Sequence, residues 1–374
     1  MKTIVVLVGV RGCGKSTLIA TAKSFPLVHV LQPSTTRGQR PDDDGQYHHQ
    51  EKKHWNKNDF AWTIEVAEHF YGLRKSELES IKSGEIGFTV FHPGNLKVLH
   101  DYRATSPLEF ITVGLDNINS YEEQIQRIQG DKLRDEGQAA FNAQRLVAQS
   151  CDVVLHGDFE VTKNALSSIF IILKSRGILD KQSITNLIRA GTLLKDALTD
   201  NIQPASYDLT VGGTVWCKGK LYKLTAHEPI TIPPYSYVLV EAHEKACLPN
   251  FVVAHYDIKV SLFIQGVILS NGPQVDPGFD KILLCMLFNG SDSNIGLKLG
   301  EHFATMEFLV TTKVTEKYHE HHQGHKTLAD YMPGVAVVGP GGTIVDRLSR
   351  VENTLNGLWL TLVVPGLAVI VAVI

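Results

Sequence analysis

The sequence predicts a multidomain protein. An α/β domain, a parallel sheet with flanking helices, is followed by an all-β domain of distorted-barrel or jelly-roll type. Three observations carry this. A short β-branched run opens directly into a glycine-rich loop and a helical pattern near the N-terminus. Around residue 177 the pattern changes to short strand-like runs punctuated by Gly, Pro and Asn. The length, 374 residues, suffices for two or three domains with cores of their own. The boundaries read as 1–174, 177–335 and 336–374, the last a glycine-rich linker and hydrophobic tail.

The first strand is Thr3 to Val8, a continuous apolar run of the kind buried on both faces of a parallel sheet. Gly9-Val-Arg-Gly-Cys-Gly-Lys15-Ser16-Thr17 follows, which is G-x-x-x-x-G-K-[ST] between a strand and a helix. Gly9, Gly12 and Gly14 let backbone N–H groups turn toward phosphate oxygens, and the helix adds the positive end of its dipole. Lys15 supplies a mobile charge for the outer phosphates, the Ser16 hydroxyl a ligand for Mg²⁺, and Thr17 completes the ATP-binding set.

Further elements follow in order. Ser34-Thr-Thr-Arg37-Gly-Gln-Arg40-Pro41 leads to Gly45-Gln-Tyr47-His48, then to Ile64-Glu65-Val-Ala67 and Phe70-Tyr71-Gly72. Gln124 to Ile128 and Gln144 to Leu146 each carry an arginine, and Asp152 to Leu155 with Phe159 to Lys174 reads as a closing strand and helix. In this order the segments resemble guanylate kinases over residues 1 to about 174. The resemblance implies transfer of a phosphoryl group from ATP to a nucleoside monophosphate. Arg37, Arg40, Tyr47 and Tyr71 would bind the acceptor, and Glu65 would face its base. Lys15, Arg127 and Arg145 would act on the moving phosphoryl group, since arginine forks match phosphate geometry. The sequence departs from that pattern in places. Gly87 to Pro93 holds no acidic residue after the mid-sheet strand, and Leu73 replaces a threonine. Asp131 falls where a second lid arginine is expected, with Arg134 nearby, and the acceptor segment is short around Asp42 to Gly45. The acceptor's base and sugar stay open.

From Ile178 to Ile188 the chain reads as an amphipathic helix capped by Asp180. Strands are expected at Tyr207–Val211, Tyr237–Glu241, Val267–Leu269 and Ile282–Phe288. Ile178-Leu-Asp180, Gln203 to Leu209 and Val275 to Phe279 together resemble the dCTP deaminase branch of the dUTPase superfamily, over 177–335. The resemblance implies a homotrimer with pockets at subunit boundaries, here taking a (d)NTP at Ser206, Asp208, Lys259, Ser261 and Asp276. Its catalytic pattern is not kept. Lys259 and Ile264 stand for two arginines, Met286 for the general acid/base glutamate, and His302 and Thr305 for a late R-x-x-Q. A methionine moves no proton, and metal-free deamination needs a carboxylate to activate water, so loss of dCTP deamination is expected. Asp276 reads first as a turn residue ahead of Pro277-Gly278. Water activation for dUTP diphosphate hydrolysis is its second role.

A formal net charge of -3 excludes a basic nucleic-acid coat, and no direct nucleic-acid binding is expected. The five cysteines (Cys13, Cys151, Cys217, Cys247, Cys285) form no C-x-x-C pair, which argues against a disulfide framework and for the reducing cytoplasm. Ile4 to Val8 is too short for a secretory signal. The histidines from His319 to His325 read as a solvated loop rather than a metal site, as do His48, His49 and His54. Leu358 to Ile374 has no charged residue. It reads either as a membrane contact at the lower length limit, broken by Pro365-Gly366, or as a β-branched arm docked on another subunit. The expected function is an ATP- and Mg²⁺-dependent (deoxy)nucleoside monophosphate kinase joined to a trimerising domain without deaminase activity. The alternatives are a nucleotide-sensing scaffold and a residual dUTP diphosphatase.

Overall fold

The apolar run near the N-terminus forms β1 (Thr3–Gly9), buried over all seven residues. Such burial suits a central strand, and in the computed structural model β1 lies between two parallel neighbours. The structure describes residues 2–26, 28–40, 45–128, 136–217, 219–225, 229–269, 274–316, 318, 327–331 and 340–358. After β1 come α1 (Lys15–Ala22), β2 (Val28–Val30), β3 (Ser34–Thr35), β4 (His48–His49), β5 (Phe60–Val66) and β6 (His69–Arg74). Next are α2 (Lys75–Ser80), β7 (Ile86–Phe91), α3 (Leu96–Thr105), β8 (Glu109–Leu115), α4 (Tyr121–Arg127), α5 (Gln138–Gln149), β9 (Val153–Leu155) and α6 (Phe159–Ser175). Five strands form a parallel sheet in the order β2-β7-β1-β8-β9, and a separate sheet runs β4-β3-β6-β5. The glycine-rich loop therefore leaves the carboxyl end of the central strand, where open α/β sheets bind ligands.

The second half contains α7 (Lys181–Arg189), β10 (Leu193–Lys195), β11 (Tyr207–Cys217), β12 (Lys220–Lys223), β13 (Ile230–Ile232), β14 (Tyr237–Cys247) and β15 (Val252–Ile258). It continues with α8 (Val260–Phe263), β16 (Val267–Leu269), β17 (Gln274–Val275), β18 (Asp280–Asn289), β19 (Ile295–Leu297), β20 (His302–Val310), α9 (Leu328–Tyr331) and α10 (Pro340–Leu358). The main path of its antiparallel sheet is β16-β18-β14-β11-β20-β15-β17. β11 and β14 each run to eleven residues, well past their expected ends at Val211 and Glu241. The reason is irregular register between Val211 and Val215, which lets β11 pair with β20 first and β14 afterwards. At this bend the fully buried Glu244 carboxylate accepts bonds from the Tyr207 hydroxyl (3.0 Å), the Thr210 N–H (3.0 Å) and the Thr210 hydroxyl (2.9 Å).

The joint at residues 175–177 is packed. One apolar cluster runs from Val5, Phe141 and Ile169 through Leu179 and Ile184 to Tyr207 and Phe308. Arg176 closes α6 in the left-handed region (φ 45°), pairs with Glu109 and donates to the Thr311 carbonyl at 2.8 Å. Asp152 accepts from Thr112 and, across the joint, from Asn250 at 2.7 Å. Near the C-terminus the expected linker is helical from Pro340, with proline in the first turn where its missing N–H costs nothing. The histidine-rich segment 319–325, Asp131, Arg134 and residues 359–374 lie outside the described residues. Among those described, no helix is long and apolar enough to cross a membrane.

Candidate nucleotide site

The loop between β1 and α1 depends on left-handed glycines. Gly12 and Gly14 sit at φ 78° and 91°, where a side chain would be strained. Lys15 folds back over the loop, its Nζ donating to the carbonyls of Gly9 (2.7 Å) and Val10 (2.8 Å). Two side chains beyond β8 brace the same loop: Asn117 donates to the Cys13 carbonyl (3.0 Å) and Gln124 to the Arg11 carbonyl (3.2 Å).

A cavity of about 230 Å³ opens beside this loop. Gly9, Gly12, Lys15 and Ser16 line one part, and Arg37, Arg40, Tyr47 and Tyr71 another. The Ser16 hydroxyl donates to Gln46 Oε1 at 3.0 Å, joining the two sides. Tyr47 packs edge-on against Tyr71 (6.0 Å), and the Arg37 guanidinium lies 5.6 Å from the Tyr47 ring centre. Arg11, itself paired with Glu136, adds a fourth cation, and no Asp or Glu is among the lining residues described. The resulting positive field suits a polyanion. His92 follows β7 in the same wall. Burial first, with the charges of Lys15 and Arg11 and against that of Glu136, lowers its pKa to about 4. Its Nδ1 accepts the Gly94 N–H at 3.2 Å, while Nε2 is buried with no hydrogen-bond partner among the described residues.

Several expected site residues stand elsewhere. Trp62, Ile64 and Val66 of β5 line the cavity, so strand alternation carries Glu65 to the exposed opposite face. The wall expected to read a base with a carboxylate is apolar instead. Arg145 does not line the cavity. Its guanidinium binds the buried Asp116 (2.5 Å) and the Asn119 carbonyl (3.0 Å), fastening α5 to the end of β8. Burial would raise the Asp116 carboxyl, but bonds from Arg145 and Gln149 and the Arg145 charge outweigh it and hold the pKa below 3.8. Arg127 borders the loop near Gly12 but donates to Glu123 (2.6 Å) and the Asn117 carbonyl (3.0 Å). Thr17 is exposed on α1 outside the lining, and Gly14 contributes as the residue preceding that helix. Reading the sequence alone missed His92, Arg11, Gln46 and Asp116. The period-two pattern of Trp62, Ile64 and Val66 was the signal that placed Glu65 outward.

In the second domain Asp208 is buried and accepts bonds from Lys259 Nζ (2.8 Å), the Thr305 hydroxyl (2.8 Å) and Gln203 Nε2 (3.1 Å). The Ser206 carbonyl accepts the Gln203 N–H, while the Ser261 carbonyl accepts from Gln265 Nε2, a contact that does not reach Asp208. The Asp276 carbonyl accepts the Phe279 N–H, closing a turn with Pro277 second and left-handed Gly278 third (φ 80°), while its carboxylate binds Gln274. This is the turn chemistry expected of Asp-Pro-Gly. Met286 lies opposite Leu239 on β18.

Residues 178–310 match the family profile described as dCTP deaminase-like. The dCTP deaminase of Thermococcus kodakarensis is 36% identical over 143 residues, covering 38% of this chain and 92% of that protein. The chain belongs to the dCTP deaminase-like family. The dCTP deaminase of Pyrococcus furiosus is also 36% identical over 143 residues, 38% of this chain and 91% of that enzyme. Two solved structures resemble parts of the chain. The dCTP deaminase of Agrobacterium tumefaciens (19% identity, TM-score 0.33) covers 36% of this chain and 49% of that one. The guanylate kinase of Anaplasma phagocytophilum (17% identity, TM-score 0.33) covers 46% and 86%. Within the dCTP deaminase-like domain, Asp208 and Lys259 are brought together as each other's partners, and Asp276 closes a turn.

Proposed function

We propose that the first domain is a phosphotransferase that takes ATP and a (deoxy)nucleoside monophosphate, joined to a dCTP deaminase-like domain that does not deaminate. One observation carries this: a single cavity is lined by the glycine-rich loop, Lys15 and Ser16 and also by Arg37, Arg40, Tyr47 and Tyr71. Holding two anions in one cationic space supplies the positioning that phosphoryl transfer needs. Lys15 would exchange its bonds to two loop carbonyls for phosphate oxygens, and Arg37 and Arg40 would hold the acceptor phosphate. The donor set fits a triphosphate well. For Mg²⁺ the described lining residues offer the Ser16 hydroxyl, which suits a cation arriving with its nucleotide. About 230 Å³ is less than the roughly 300–1,000 Å³ of drug-sized pockets, so the phosphates and part of one nucleotide fill it.

The test is ADP production by the purified full chain with Mg·ATP and each common (d)NMP. Turnover that depends on one acceptor and falls on the order of 10²–10³-fold in Lys15→Ala supports the proposal. ATP binding without acceptor-dependent ADP sinks it and favours a nucleotide-sensing scaffold, the reading to which Arg145 held on Asp116 and Met286 in place of a carboxylate lend support. No ammonia is expected from dCTP. The bonding of Asp276 within its turn weighs against dUTP diphosphatase activity. A homotrimer built on the second domain is part of the proposal, tested by sedimentation mass.

A further inference from the structure

We propose that His92 is a phosphate-contacting residue of the cavity, a neutral imidazole that donates its Nε2–H to a phosphoryl oxygen of the triphosphate bound by the glycine-rich loop. The Gly94 N–H occupies Nδ1 as an acceptor, so the neutral ring carries its proton on Nε2. That atom is buried without a partner among the described residues, in a wall shared with Lys15, Arg11 and Gln144. An unmade bond at a buried donor is costly, and an anion in this space satisfies it. Burial in the wall keeps the ring neutral; of the charged groups acting on it, Glu136 opposes this while Lys15 and Arg11 support it. His92 thus stands in the wall where the sequence has no carboxylate, and it contributes a donor in place of an acceptor.

The inference rests on triphosphate binding by the first domain, and its test reads binding rather than turnover. ATP affinity is measured by calorimetry for the full chain and for His92→Phe and His92→Gln. Loss of about tenfold in the phenylalanine variant, with most of the affinity kept by glutamine, is expected for one donor to a charged oxygen. In the unmodified protein, ring ¹⁵N resonances give a readout independent of folding: saturating inorganic triphosphate should shift Nε2 and raise the His92 pKa from about 4. Equal ATP affinity in His92→Phe, or an Nε2 signal unmoved by bound triphosphate, overturns the assignment and leaves the nucleotide reading intact. No ATP binding by the wild-type chain overturns both.

A second inference stands on α10. Leu348, Val351 and Leu355 are 62%, 56% and 57% exposed and repeat at intervals of three and four, and the sequence extends that spacing to Ile344 and Leu358. This is a heptad seam of two turns of the repeat, with leucine at a and Ile, Val or Leu at d. We infer that α10 forms a parallel coiled coil with copies of this chain. Arg347 falls at g and Glu352 at the e position five residues on, the pair that meets between parallel strands. Antiparallel strands would oppose like charges. Leucine at a with the β-branched Ile344 and Val351 at d disfavours two strands, which fits three. The test is disulfide capture in the full chain. Val351→Cys on the seam should cross-link, Ser349→Cys should not, Arg347→Glu should reduce the yield, and adding Glu352→Arg should restore it. Equal yields at 349 and 351, or protection of the Val351→Cys thiol by phosphatidylglycerol vesicles in place of cross-linking, overturns it.

Discussion

Asp116 has 2% of its side chain exposed and keeps its charge because Arg145 and Gln149 hydrogen-bond to it. Removing one partner of such a pair strands the other, so Arg145→Ala should lower stability by about 3 kcal/mol. The pH dependence follows from the depressed pKa of the folded carboxyl. Its contribution is complete above the unfolded value of 3.8 and is lost as pH falls through the lower folded value. The gap between wild type and Arg145→Ala in urea unfolding should be constant from pH 7 to about pH 5 and narrow below it. A gap unchanged down to pH 3 would show that Arg145 stabilises α5 through something other than charge. The same residue illustrates how an arginine expected at the cavity can serve the fold: its fork meets a carboxylate before it meets the cavity.

At the scale of elements, β11 and β14 bend together, and Glu244 is the reason the bend holds. Three donors on Tyr207 and Thr210 use its two oxygens in a site with no solvent. Burial, and then the Glu244 charge, also push the Tyr207 hydroxyl well above its ordinary pKa, so it stays a donor. Glu244→Ala should cost about 3 kcal/mol or more, since buried donors are left without an acceptor. Guanidinium unfolding measures it, and a loss under 1 kcal/mol would mean that water replaces the carboxylate. Other elements are simpler. The Asp180 carboxylate accepts the Ser183 N–H at 3.0 Å and begins α7 where the sequence places it, because capping is a local bond between near neighbours.

For the whole molecule, the joint at residues 175–177 ties the parallel sheet to the antiparallel one through a shared apolar cluster. Arg176 bonds Leu173 and Thr311 and pairs with Glu109, whose other oxygen accepts the Val314 N–H. A buried crossing of this kind predicts one calorimetric transition for the pair of domains. Arg176→Ala should split or broaden it and lower the first melting step by several degrees. Two well-separated transitions already present in the wild type would show that the shared core does not couple them.

Much was legible in the amino-acid sequence by itself: the buried first strand, the glycine-rich turn that follows it, the capped helix at Asp180, the Asp-Pro-Gly turn and the absence of a carboxylate at 286. Each is a local pattern, set by neighbours within a few residues and by period. The tertiary structure alone decided which arginines meet the cavity, that Glu65 faces solvent, that His92 enters the wall, and that β11 and β14 continue past their expected ends. Those outcomes depend on partners far along the chain, such as Asp116 for Arg145 and Glu244 for Thr210. No local spacing encodes where the packing of a sheet will bring such groups into contact.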